Sequence, residues 1–254
     1  MVVALFAILG LLVGSFLTVV VHRVPARQSI VAPRSRCPRC GAQLRAVDNV
    51  PVLSYVILRG KCRNCGLAIS PIYPLIEVAT AGLFVGAAVA FHRPLVQAMV
   101  AAFLAVVLAL GIIDVQHRVI PNRITYPAVV AFAVLIGVGD AAGGGVDAVR
   151  AAIGMGAYGG GLLLVALVSP KGMGMGDVKL GALIGLVLGS LALSRVAVAA
   201  GAAILAGGVG AVVALAAGGS RKQALPFGPY LALGAVVAAF AGPQIAHAYL
   251  RLFP

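Results

Sequence analysis

Long apolar runs alternate with short polar segments along almost the whole chain. Eight runs are long enough to be membrane helices, which need about 20 residues of mostly apolar sequence. The strict alternation of apolar and polar residues typical of a membrane β-barrel is absent. The pattern therefore predicts an all-α polytopic membrane protein with about eight transmembrane helices. The predicted spans are 2–21, 72–91, 95–113, 124–139, 148–168, 177–194, 196–217 and 227–250.

The composition supports this class. Of the 254 residues, 62% are hydrophobic and 10% are charged, whereas about a quarter are charged in a soluble domain. The net charge of +13 would suggest nucleic acid as the partner of a soluble protein. In a membrane protein, basic residues collect in the cytoplasmic loops instead. We therefore predict contact with membrane lipid and no nucleic-acid partner.

The distribution of basic residues predicts the orientation. The first run starts without a positively charged segment, which favours a retained helix with its N-terminus outside over a cleaved signal peptide. With this orientation, 15 of the 19 Lys and Arg residues lie on the cytoplasmic side of an inner membrane. The predicted divisions are a first helix (1–21), a cytoplasmic loop (22–71) and a seven-helix membrane domain (72–254).

All four cysteines lie in the predicted cytoplasmic loop, as two Cys-x2-Cys pairs separated by 21 residues. Two such pairs are typical of a structural zinc site, because tetrahedral Zn²⁺ takes four thiolates. The reducing cytoplasm disfavours disulfides, which leaves a redox pair as the less favoured alternative. A four-thiolate site has no open position for water, so its role is structural. The predicted ligands are Cys37, Cys40, Cys62 and Cys65.

Two aspartates stand where an apolar chain should not tolerate them. Asp177 lies in GMGMGDVKL (172–180) and Asp114 in GIIDVQHRVIPN (111–122), and each lies at the cytoplasmic end of a predicted span. Ionisable residues at membrane depth are functional candidates, and two carboxylates meeting across helices indicate acid/base hydrolysis. No HExxH or GxSxG motif is present, and no cysteine outside the loop offers a nucleophile.

Two other functions fit parts of this pattern. Intramembrane aspartates also relay protons in transporters, so a proton-coupled transporter is the main alternative to a protease. A non-enzymatic assembly scaffold that recruits a partner through the cysteine loop is the second. The asymmetry of the motifs and the presence of that loop argue against a transporter.

Glycines at four-residue spacing predict close helix packing. Gly181, Gly185 and Gly189 form such a stripe on the span that begins with Asp177, and Gly156 and Gly160 repeat it on the preceding span. Small residues allow neighbouring helix backbones to approach each other closely. We therefore predict that both stripes lie in helix contacts.

Together, the motifs resemble those of the type IV prepilin peptidases, which are leader peptidases and N-methyltransferases of the membrane GxGD aspartic protease class. The similarity extends over nearly the whole chain. It rests on GSFLTVVVHRVP (14–25), DNVPVLSYVILRGKCRNC (48–65), ISPIYPLIE (69–77), DVQHRVIPNRIT (114–125), GMGMGDVKL (172–180) and PFGPY (226–230), together with the cysteine pairs.

This resemblance implies an activity and a set of site residues. Asp114 and Asp177 would be the catalytic pair, with Gly174, Gly176 and Lys179 in the supporting loop. The enzyme would remove the basic leader of prepilins or pseudopilins at the cytoplasmic face. It would also methylate the new N-terminus with S-adenosylmethionine, for which no motif identifies binding residues.

Helix polarity predicts separate roles for the two carboxylates. Asp177 opens a predicted helix, where the positive end of the helix dipole favours the ionised form, whereas Asp114 closes one. On this argument Asp177 is the base that activates water and Asp114 is the acid.

Overall fold

The structure is a computed structural model that describes residues 1–169, 173–218 and 226–252. Within these ranges it contains nine α-helices, one 3-10 turn at Ala46–Asn49, and loops. The helices are α1 (Val2–Arg23), α2 (Leu53–Ile57), α3 (Ile72–Ala90), α4 (Pro94–His117), α5 (Asn122–Ala141), α6 (Ala148–Val168), α7 (Met175–Leu191), α8 (Leu193–Ala216) and α9 (Gly228–Leu252).

Eight of these helices coincide with the eight predicted spans, which confirms the all-α polytopic class. In the described ranges, seven are long and apolar enough to cross a membrane. The remaining one, α7, has 17 residues and is buried along most of its length. At 1.5 Å per residue it is about 25 Å long, close to the thickness of the hydrocarbon core. The short helix α2 was not predicted.

The chain forms two compact units, Met1–Ala90 and the residues from Phe91 onward. In the first unit α1 packs along α3, so the second membrane helix groups with the first helix and the loop. The contact is close: a Cβ added at Gly10 would lie 2.6 Å from Ala81 Cα, and one at Gly14 would lie 2.7 Å from Glu77 Cα. The assignment of protease activity to residues 72–254 stays a prediction.

In the second unit α4 is the most enclosed of the candidate membrane helices. It packs against α5, α7 and α9, and the side chains of Phe103, Leu104 and Leu110 are fully buried. Apolar residues on every side are typical of a helix in a protein core or in a membrane, and the burial of these side chains shows that α4 lies in the core. Asp114, in its last turn, therefore lies at the end of the core of this unit.

The helices α6 and α7 form a tight pair through glycines. A Cβ at Gly185 would overlap the Gly154 carbonyl, and one at Gly189 would lie 2.8 Å from the Arg150 carbonyl oxygen. The predicted contact stripe of Gly181, Gly185 and Gly189 is therefore confirmed.

The corresponding prediction for Gly156 and Gly160 is wrong, because both face open space. α6 instead turns Ala151, Gly154 and Tyr158 inward. These residues share one helix face through their spacing of three and four. Several glycines lie close together in α6, so glycine spacing alone did not identify the buried face.

A charged side chain joins α8 to α9. Pro243 lies inside α9 and has no N–H, so the Ala239 carbonyl lacks its normal helical donor. Arg195, in the first turn of α8, donates hydrogen bonds to the carbonyls of Ala238 and Ala239. Its guanidinium also lies 5.3 Å from the centre of the Phe91 ring. This contact anchors the helix whose first residue, Gly228, reaches the candidate site.

Candidate active site

The Asp114 carboxylate is buried at the junction of α4 and α9. Its side chain accepts a hydrogen bond of 3.0 Å from the backbone N–H of Gly228, the first residue of α9. The helix ends directly afterwards, because Arg118 adopts the left-handed conformation and donates its N–H to the Asp114 carbonyl at 2.8 Å. This turn leads the chain away while the carboxylate stays inside the unit.

Gly228 is a site residue that the sequence analysis missed. A Cβ at this position would lie 2.6 Å from Asp114 Oδ2 and 3.0 Å from its Cγ. Glycine is therefore required by space, because the carboxylate occupies the position that a side chain would take. The PFGPY motif was available as a signal, but it does not state which distant side chain its glycine contacts.

Asp177 lies in the first turn of α7 and is half-buried. It exchanges two hydrogen bonds with Gly174: its carboxylate accepts the Gly174 N–H at 3.3 Å, and its own N–H donates to the Gly174 carbonyl at 3.1 Å. The two aspartates lie close enough together for the charge on Asp114 to act on Asp177. Gly172 and the preceding residues 170–171 lie outside the described residues.

The start of α7 is fixed against the α4–α5 connection. A Cβ at Gly176 would lie 3.0 Å from the Cβ of buried Ile120, so this glycine allows a close approach. Lys179 donates a hydrogen bond of 2.9 Å to the Asn122 side chain and lies 5.1 Å from the centre of the Tyr126 ring. The predicted supporting residues thus hold α7 beside the segment that follows Asp114.

The helix-polarity argument for separate base and acid roles does not hold. Asp177 lies at the N-terminus of α7 as expected, but Asp114 lies at the N-terminus of α9 as well as at the C-terminal end of α4. Both carboxylates thus accept an N–H at the start of a helix, where the dipole favours negative charge. The sequence could not reveal the contribution of α9, which comes from residues far along the chain.

The four cysteines form one cluster in the first unit. All four sulfur atoms lie within 4.8 Å of one another, and the Sγ atoms of Cys37 and Cys65 are 4.0 Å apart. Four thiolates at about 2.3 Å from a tetrahedral Zn²⁺ ion are separated by about 3.8 Å, so the donors and their spacing fit this metal.

Each cysteine pair lies in the same type of tight turn. The first cysteine donates its N–H to a carbonyl five residues later, and its carbonyl accepts the N–H of a glycine with positive φ. This geometry occurs at Cys37, Gly41 and Ala42 and again at Cys62, Gly66 and Leu67, with all four hydrogen bonds at 2.9 Å. The loop therefore contains one local motif twice.

The thiol pKa values of Cys37 and Cys65 are shifted in opposite directions. The backbone N–H groups of Cys40 and Arg39 lower the pKa of Cys37 to about 6. The N–H of Leu67 acts in the same direction at Cys65, but burial and hydrogen bonds among the sulfurs raise the pKa of that thiol to about 11. Outside the cluster, a hydrogen bond from Arg63 lowers the pKa of Asp48.

The fold defines a multi-pass membrane protein that has two aspartates within electrostatic range of each other in the second unit and a four-cysteine cluster in the first. Residues 101–240 match the model of the type IV leader peptidase family, and residues 8–91 match the bacterial peptidase A24 N-terminal domain. The chain belongs to the type IV leader peptidase family.

Similar proteins named prepilin leader peptidase/N-methyltransferase occur in several bacteria. The protein of Burkholderia pseudomallei (strain 1026b) is 38% identical, over 92% of this chain and 84% of its own length. That of Bacillus subtilis (strain 168) is 35% identical, over 96% of both chains. That of Pseudomonas aeruginosa is 34% identical, over 96% of this chain and 92% of its own. No solved structure matches the chain. The predicted family is confirmed.

Proposed function

We propose that this protein is a membrane aspartic endopeptidase that removes the leader peptide of prepilins or pseudopilins, with Asp114 and Asp177 as its catalytic pair. The observation that supports the proposal is that α4 and α7 belong to one packed unit in which the two carboxylates lie within electrostatic range of each other. The names of the relatives supply the reaction and the substrate class. No comparison favours the alternative of a proton-coupled transporter.

The chemistry follows from two neighbouring carboxyl groups that share one proton, because two adjacent carboxylates cannot both ionise cheaply. The ionised group takes a proton from water while this water attacks the scissile carbonyl carbon. The protonated group then gives its proton to the departing amide nitrogen. The Gly228 and Gly174 N–H groups hold the two carboxylates in place through this exchange.

The dyad is tested by cleavage of a prepilin by the purified protein in detergent. Asp114→Asn and Asp177→Asn should each lower the rate by roughly 10²–10⁴-fold, since each removes one of the two acid/base groups. Asp140→Asn and Asp147→Asn are the matched controls and should keep normal rates, because both residues lie at the α5–α6 connection. Near-normal turnover by either dyad variant would exclude the aspartic mechanism.

The proposed orientation places the N-terminus outside and the catalytic pair at the cytoplasmic face, in accordance with the bias of basic residues. It can be tested in intact cells with a membrane-impermeant thiol reagent. Ala142→Cys, in the α5–α6 connection, should react from outside. The background has all four native cysteines replaced, because zinc-bound thiols would stay unlabelled on either side of the membrane. Ser220→Cys in the same background, outside the described residues and on the predicted cytoplasmic side, is the control and should not react. Labelling of Ser220→Cys but not of Ala142→Cys would reverse the topology.

The proposed cofactors differ in how well the described residues accommodate them. The four thiols offer a closed site for structural zinc. The N-methyltransferase part of the relatives' name extends to this chain as a second proposed activity, with S-adenosylmethionine as methyl donor. A cavity of about 370 Å³ in the first unit does not suit that donor, because three arginines and no acid line it, whereas the sulfonium and ammonium groups of the donor outweigh its one carboxylate.

A further inference from the structure

A cavity of about 370 Å³ lies between the end of α1 and the polypeptide around the first cysteine pair. Its volume falls within the range of about 300–1,000 Å³ typical of small-molecule sites. All of its lining residues belong to the first unit, and none of them is among the residues named for the proposed protease activity. The cavity is therefore a candidate binding site for a further ligand.

The charged part of the lining is entirely basic. Arg23, Arg34 and Arg45 contribute to the wall, and no acidic residue does. The acid nearest to Arg45 in sequence, Asp48, instead forms a salt bridge of 2.7 Å with Arg63. Among the described residues, neither Arg34 nor Arg45 forms a salt bridge with an acid. Three guanidinium groups that form no salt bridge among the described residues favour an anionic ligand, and guanidinium matches phosphate geometry well.

The rest of the wall is largely apolar and continuous with a membrane helix. Phe16 and Val19 precede Arg23 on the same face of α1, at spacings of three and four residues. The Phe16 side chain is 50% exposed, and Val31 in the adjoining loop is 85% exposed, although both are large and apolar. A ligand in the cavity would thus contact hydrocarbon on one side and guanidinium groups on the other.

We infer that this cavity binds an anionic phospholipid, with the phosphate among Arg23, Arg34 and Arg45 and an acyl chain along Phe16 and Val19 of α1. Basic pockets at the ends of membrane helices bind acidic lipid head groups in this way. The two other ligands of the proposed reaction fit less well, because the methyl donor carries a sulfonium and the prepilin leader is basic. The inference goes beyond the proposed protease function and does not depend on it.

The test is a lipid titration of the full-length protein in detergent, with bound lipid counted by native mass spectrometry. Phosphatidylglycerol should bind and phosphatidylcholine should not be retained at the same concentration. Replacing Arg23, Arg34 and Arg45 together by Gln should weaken phosphatidylglycerol binding roughly 100-fold, since each arginine near an anionic lipid contributes about a fivefold factor. The matched control replaces three exposed arginines of the same loop that lie outside the cavity, Arg36, Arg39 and Arg59.

The control variant loses the same charge and should bind phosphatidylglycerol within about threefold of the unmodified protein. Equal losses in the two variants, or equal retention of phosphatidylcholine, would overturn the inference. So would displacement of the lipid by soluble glycerol phosphate or by S-adenosylmethionine at matching concentration. Arg23 also donates a hydrogen bond of 3.0 Å to the Ser29 carbonyl. If the triple variant loses helical structure by circular dichroism, the Arg34/Arg45 double variant, which keeps this bond, replaces it with an expected loss of roughly 25-fold.

Discussion

Each unit buries one carboxylate in a membrane helix, and this carboxylate accepts a hydrogen bond from a backbone N–H. The donor is a β-branched residue in the first unit and a glycine in the second. Glu77 of α3 accepts the N–H of Val52 at 2.7 Å, and Asp114 of α4 accepts that of Gly228 at 3.0 Å. The two residues are 8% and 6% exposed. Val52 is β-branched and has a φ of +60°, which side chains of this kind rarely adopt.

The difference shows which constraint dominates at each carboxylate. At Gly228 space is limiting, because an added Cβ would lie 2.6 Å from Asp114 Oδ2. At Val52 a side chain fits, and the backbone conformation is costly instead, by about 1–3 kcal/mol. A hydrogen bond to a charged group contributes about 1.5–3 kcal/mol, enough to offset that strain. The catalytic candidate thus has an unstrained backbone donor, and the other carboxylate uses its hydrogen bond to hold a loop.

The largest expected effect that separates the two units is that of Gly228→Ala. The added Cβ would collide with Asp114 Oδ2 and displace the carboxylate. We expect a roughly 100-fold fall in kcat for prepilin cleavage, with a smaller change in KM, because misplacement by about 1 Å has this effect on catalysis. Gly156→Ala is the control, since nothing lies within 4 Å of the added atom. Full activity of Gly228→Ala would show that Asp114 is not held by this contact.

Metal removal should act on the first unit and leave the second intact. A strong chelator, or replacement of all four cysteines by serine, should release the loop and make residues around Arg59 sensitive to protease, because the four thiols are its shared anchor. Metal analysis should find one zinc ion per unmodified chain and none in the variant. Peptide cleavage should persist, since a closed site provides no reacting group. An unchanged zinc content in the variant would show that these four cysteines do not bind the metal.

Glu77→Ala should weaken the loop without the catalytic loss seen at Asp114. The Val52 N–H would lose its acceptor, at a cost of about 1–3 kcal/mol in stability. Glu77→Gln should restore most of that stability, because its amide oxygen can accept the same hydrogen bond. Thermal unfolding and prepilin cleavage are measured side by side. If Glu77→Ala lost as much cleavage activity as Asp114→Asn, the conclusion that Glu77 holds the loop and takes no part in catalysis would be wrong.

Val52→Gly should have the smallest effect. Removing the side chain relieves the strain at positive φ and increases the freedom of the unfolded chain, so these changes offset each other to within about 1 kcal/mol. Val56→Gly, in the exposed part of α2, has no strain to relieve and should lower the melting temperature more. A larger loss at Val52 than at Val56 would mean that the Val52 side chain stabilises the loop by packing.

The sequence predicted what local patterns encode. Eight apolar runs identified the long helices, and paired cysteines identified the cluster. Both signals are local, because each helix is one continuous run and the two cysteines of each pair are three positions apart. The contact between Asp114 and Gly228 joins residues 114 positions apart through a backbone N–H, which no side-chain pattern reports. The buried face of α6 depends on the partner helix in the same way. The positive φ of Val52 could not be predicted either, because valine rarely adopts this backbone conformation.

The cysteine cluster has a consequence for the continuity of the chain. A cut between Leu58 and Arg59 would leave Cys37 and Cys40 on one fragment and Cys62 and Cys65 on the other. With metal bound, a single ion would then join two separate polypeptides, each of which carries its own membrane helix. The two fragments could be synthesised independently, and the metal would fix the loop across the cut while α1 and α3 pack together through Gly10 and Gly14. The connection between α1 and α3 is thus a covalent link that coordination chemistry could replace.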